Sequence, residues 1–96
     1  MNALDKLDSD LGTVIALLDL ILRDDSLTLE QRSRFTQARS IAHVVKQDSN
    51  NMTVASIKER AARILWLIPK TKEIVSTDKD RSLMVARIFS LRNLLR

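Results

Sequence analysis

Ninety-six residues, 45% hydrophobic and 29% charged, describe one globular domain with a modest core. A single glycine and a single proline argue against turn-rich all-β architectures. The absence of cysteine excludes disulfides, thiol catalysis and cysteine-ligated zinc.

The net charge of +4 is unevenly placed: residues 1–48 carry −2 and residues 49–96 carry +6. Such polarity favours an anionic partner at one end. Met1 to Asp5 lack the basic start and apolar stretch of a signal peptide. The longest greasy run, Val14 to Leu22 with Asp19 inside it, falls short of the roughly 20 residues that span a bilayer. A cytoplasmic protein without a membrane span is expected.

In chain order, the first helix is predicted over about 2–23. Leu4, Leu7, Leu11, Val14, Leu18 and Ile21 step by three and four residues, the seam of a helix packed on other helices. From Val14 onward Ala16, Leu17, Leu20 and Leu22 make it apolar almost all round. A chain this short offers few helices to surround it, so a second copy or another helical protein is the expected cover. The interface residues expected on that ground are Leu11, Val14, Ile15, Leu17, Leu18, Ile21 and Leu22.

Thr28 and Gln31 then read as a capping box for a second helix over 28–47. Its inner face carries Phe35, Ala38, Ile41, Ala42 and Val45, and its outer face Arg32, Arg39, His43 and Lys46. After the loop-like stretch Asp48 to Met52, Thr53 caps a third helix over 54–68, with Ser56 and Glu59 as a competing box. Val54, Ile57, Ala61, Ile64, Leu65 and Ile68 form its stripe, and Trp66 lies off the stripe's centre. Pro69 cannot donate a backbone hydrogen bond, so a break or kink is predicted there; Ile74 and Val75 would fit a continued phase. Thr77 and Asp80 open a last helix over 78–95 that buries Leu83 or Met84, Val85, Ile88, Phe89, Leu91 and Leu95. The predicted architecture is an all-α, four-helix antiparallel bundle in one domain.

No residue set reads as catalytic. His43 is the only histidine and stands with Arg39 and Lys46, without a nucleophile to serve and without fellow metal ligands. Asp5, Asp8 and Asp10 suit a helix N-terminus, where the macrodipole favours acids, and lack the spacing of a calcium loop. Neither a cofactor nor a metal is expected. The basic half offers one alternative: Lys58, Arg60, Arg63, Lys70, Lys72 and Arg87 could neutralise phosphates of a nucleic acid. Against it stand the three aromatics, too few for a stacking platform, with both phenylalanines in apolar stripes.

Between Asp5 and Val45 the chain has the run Leu11-Gly12-Thr13-Val14-Ile15-Ala16-Leu17-Leu18-Asp19-Leu20. The opening Leu27-Thr28-Leu29-Glu30-Gln31-Arg32 follows, and then Phe35 and Ser40-Ile41-Ala42. This stretch resembles the dimerisation and histidine-phosphotransfer hairpin of sensor histidine kinases. There, H-E-L-R-T-P-L precedes an apolar run, a short polar turn, an L-T-x-E-Q-R-like opening and a second amphipathic helix. The resemblance implies a helical hairpin that pairs with two further helices, from a second copy or from later in this chain. Asp5 stands where the phosphoacceptor histidine would be and Asp10 where the proline would be, so no kinase activity is implied. The expected function is a non-enzymatic interaction or regulatory protein, a modulator or mimic of such a hairpin.

Overall fold

Apolar residues three and four apart gather on one side of a 3.6-residue turn, and four such stripes in one short chain must find one another. The computed structural model describes the backbone of residues 3–25, 27–70 and 82–95, and the side chains of residues 6, 8–25, 27–70 and 84–95. Among these it holds four α-helices and no strand: α1 (Ala3–Leu22), α2 (Leu29–Asp48), α3 (Val54–Leu67) and α4 (Ser82–Leu95). The fold is the expected all-α four-helix bundle. The first three helices begin and end within a residue of their predicted bounds. The expected loop after α2 instead winds into a 3-10 turn, Ser49–Asn51. The predicted start of the last helix near 78, its Thr77 and Asp80 cap and the continuation through Ile74 and Val75 lie outside the described residues.

The helix starts are built as the sequence indicates. Thr28 Oγ1 accepts from the Gln31 N–H at 3.1 Å, and Gln31 Oε1 accepts from the Thr28 N–H at 3.0 Å. Thr53 Oγ1 accepts from the Ser56 N–H at 3.1 Å, so Thr53 rather than Ser56 caps α3. Each side-chain cap satisfies a backbone donor that the helix itself cannot.

α2 packs on both α1 and α3, and α4 packs on α1 and α3 to close the ring. Asp8 and Asp19 of α1 meet Lys46 and Arg39 of α2, so this pair runs antiparallel. Arg34 near the start of α2 meets the end of α3, while Val45 and Ile57 share a cluster at the other end, so α2 and α3 also run antiparallel. The main core holds Val14, Leu18 and Ile21 of α1, Phe35, Ala38 and Ala42 of α2, Ile64 and Leu67 of α3, and Met84, Ile88, Leu91 and Leu95 of α4. The small Ala38 and Ala42 sit beside the large Phe35, an alternation that lets facing layers interdigitate. A smaller cluster of Leu11, Val45 and Ile57 fills the far end without any described α4 side chain.

Three expectations are corrected. Phe89 is 55% exposed rather than buried, because α4 turns Met84, Ile88, Leu91 and Leu95 inward and that stripe leaves Phe89 on the flank. Val85 is only half-buried for the same reason. Arg39 and Lys46 are not on a free outer face of α2: they lie against α1, where Asp19 and Asp8 receive them. Asp19, the one charge inside the greasy run, is there as Arg39's partner.

Gly12, the only glycine, sits inside α1, where it costs helix stability without supplying a turn. A Cβ there would stand 3.5 Å from Lys46 Nζ and 3.8 Å from its Cε, ordinary contact with the mobile end of a side chain. Gly12→Ala is expected to add about 0.5–1 kcal/mol and raise the melting midpoint by several degrees. Leu18→Asp, at a fully buried position, is expected to cost roughly 3–5 kcal/mol and unfold the chain. Thermal melts of both variants followed by circular dichroism check the pair of expectations.

Candidate functional site

The most distinctive chemistry lies where α3 ends. Pro69 has no N–H, so the helix closes with the Ile68 N–H donating to the Ile64 carbonyl at 3.2 Å. The carbonyls of its last turn are then left without intrahelical donors. Helices commonly solve this with a left-handed glycine, but no described residue has a positive φ.

Arginines from neighbouring helices take the glycine's place. Arg34 of α2 donates from Nε to the Leu67 carbonyl at 2.8 Å and from Nη2 to the Trp66 carbonyl at 2.9 Å. Arg92 of α4 donates from Nη2 to the Ile68 and Pro69 carbonyls at 3.1 and 3.3 Å. The end of α1 is closed the same way. Arg32 donates to the Leu22 and Asp24 carbonyls at 2.8 and 2.7 Å, and the Arg23 and Asp24 N–H groups tighten the turn onto Leu20 and Ile21. A planar guanidinium with several fixed donors can bridge two carbonyls at once, which an ammonium cannot match.

Arg34 also stands with its guanidinium carbon 5.5 Å from the centre of the Trp66 ring, a cation–π arrangement. Trp66 is 72% exposed. Beside it opens a groove of about 560 Å³, with buried Ile68 and Pro69 beneath, Leu65 and Trp66 along one side, and Arg34, Lys70 and Arg92 around it. No carboxylate among the described residues lines it. Phe89 lies one turn before Arg92 on the same side of α4, at the i, i+3 spacing that makes helix neighbours. Leu29 opens α2 at this end of the bundle and is 88% exposed. Leu20, near the end of α1, belongs to this end too, and among the described residues only Val44 of the exposed large hydrophobics lies toward the other.

The interface expected on α1 is rearranged by the chain's own packing. Leu11, Val14, Leu18 and Ile21 are buried within the single chain. Ile15, Leu17 and Leu22 are half-buried against the core. Those four are covered within the chain, Leu11 by Val45 of α2 and Ile57 of α3, and Val14, Leu18 and Ile21 by the main core shared with α2, α3 and α4. Periodicity shows that a face is apolar and leaves open which helices will cover it.

The described candidate nucleic-acid residues are spread over α3, the Trp66 groove and α4. Lys58, Arg60 and Arg63 are exposed along α3 and form no ion pair with a described carboxylate. Arg60 and Arg63 line a second groove of about 450 Å³ with Ile41, Ser56 and Glu59. Lys70 belongs to the Trp66 groove, Arg87 is half-buried on α4, and Lys72 lies outside the described residues. His43 is half-buried. Asp8 accepts from Lys46 Nζ at 3.3 Å and from Ser49 Oγ at 3.5 Å, which gives it a structural task. The side chain of Asp5 lies outside the described residues. Among the described residues no group of three histidines or carboxylates could hold a metal ion. None of their helices is long and apolar enough to cross a membrane.

Sequence reasoning did not single out Arg34 or Trp66 as a site. One signal was available: a helical chain with one glycine must close its helix ends with side chains, and arginine is the residue suited to it. No known protein family, curated protein or solved structure matches the chain.

Arg34→Met keeps the apolar stem and removes two charge-assisted hydrogen bonds, so it is expected to cost about 1.5–3 kcal/mol. Arg34→Lys is expected to recover less than half of that, because lysine cannot bridge the two carbonyls. Urea unfolding of the two variants beside the parent measures both differences.

Proposed function

We propose that this chain is a non-enzymatic interaction and regulatory module that binds another protein through the end of the bundle around Trp66. The observation that carries the reading is a large aromatic left mostly in solvent and yet held in place by Arg34, with further exposed apolar residues of other helices at the same end. Tryptophan and arginine are the residues most enriched among binding hot spots. A side chain fixed before binding loses less freedom on binding. The partner is a helical protein or a second copy of the chain, and the setting is cytoplasmic.

The more specific form of the reading makes the chain a modulator or mimic of a signalling hairpin. It draws support from the antiparallel α1 and α2, which together hold the residues of the resemblance. In this chain α3 and α4 supply the two further helices that such a hairpin needs. A second reading, binding of nucleic acid, is favoured by one observation: Lys58, Arg60 and Arg63 stand exposed on one helix without a described acidic partner.

Photo-crosslinking residues placed at position 66, at 89 and, as a control, at 44 separate these readings in the native host. The expected result is a discrete protein adduct from 66 and 89 and none from 44. Nuclease-sensitive adducts, together with binding that weakens steeply with salt and is reduced by Arg60→Gln and Arg63→Gln, would favour nucleic acid instead.

A further inference from the structure

The groove beside Trp66 is basic in a way that its hydrogen bonds do not cancel. Arg34 and Arg92 donate to neutral carbonyls, so each keeps its full charge. Lys70 is exposed and has no partner among the described residues. The C-terminal end of α3 contributes only roughly half a negative charge. Among the described residues, three cations against that fraction leave a strongly positive rim around the apolar faces of Leu65 and Trp66. Arg34 spends Nε and Nη2 on the backbone, and Arg92 spends Nη2 alone, so donors remain on both. At about 560 Å³ the groove falls within the roughly 300–1,000 Å³ of ligand pockets.

We infer that this groove takes an acidic amphipathic segment of a different protein, with a bulky apolar side chain against Trp66 and Leu65 and a neighbouring carboxylate on Lys70 and Arg92. Charge complementarity selects the occupant: a neutral apolar segment would leave the cations without a counter-charge, and a basic one would be repelled. The inference rests on the interaction reading above and adds the chemistry of the partner.

Trp66 is the only tryptophan of a chain without tyrosine, so its emission reports on the groove alone. The test pans a random peptide library against the full chain and titrates the selected peptides while that emission is followed. The expected peptides carry Asp or Glu beside Leu, Ile or Phe and shift the emission to the blue. Lys70→Glu is expected to weaken them at least about tenfold with the melting midpoint unchanged. Peptides without acidic residues, or an affinity indifferent to Lys70→Glu, overturn the inference. Peptides that bind without moving the emission overturn the groove and leave the interaction reading standing. A crosslink from position 66 to a second copy does the same. If no peptide is selected and position 66 yields no adduct, both fall. A single-stranded oligonucleotide that shifts the emission in place of any peptide also overturns both.

Discussion

A helix must surrender its last carbonyls to some donor, and a chain whose one glycine lies inside α1 cannot use the left-handed turn that usually supplies it. Three arginines meet that need. Arg32 holds the end of α1, and Arg34 and Arg92 hold the end of α3 from opposite neighbours. Each bond joins two different elements, so the same contacts that finish the helices also set how they sit together. α2 is the hub: two residues apart on it, Arg32 and Arg34 close the ends of the helices on either side. The exposed Trp66 follows from this arrangement, since Arg34 grips its backbone carbonyl and its ring together.

The cations thereby divide by task. Arg34 and Arg92 serve backbone carbonyls, while Lys58, Arg60 and Arg63 of α3 form no ion pair with a described carboxylate. In the acidic half, Arg39 and Lys46 pair with α1. Exposed pairs of that kind contribute up to about 1 kcal/mol each, so their larger effect is to orient α1 on α2.

The fold was legible because helix starts and apolar stripes are local signals. Thr28 with Gln31, and Thr53 alone, announced α2 and α3 within one residue. The steps of Leu11, Val14, Leu18 and Ile21 marked α1's buried seam correctly. What covers that seam is a non-local fact: residues of α2, α3 and α4 together bury Leu11, Val14, Leu18 and Ile21, and periodicity does not say which. Phe89 misled for a related reason: α4 is apolar around much of its circumference, and only the positions of α1 and α3 decide which side turns inward. The Trp66 site was the least legible feature. It depends on residues 32 and 33 positions apart that reach the same two carbonyls' region, a separation at which no spacing rule operates.

Loops between helices usually tolerate added residues, because closing a longer loop costs little extra entropy. The turn from Arg23 to Thr28 has no such latitude. Arg32 reaches back across it to Leu22 and Asp24, so the turn's length is the span of a side chain as well as of a backbone. Lengthening it would pull a guanidinium off two carbonyls and swing Arg34 away from α3 in the same movement. In this protein the connection from α1 to α2 is thus among the parts least free to lengthen, and insertions should be found, or engineered, elsewhere along the chain.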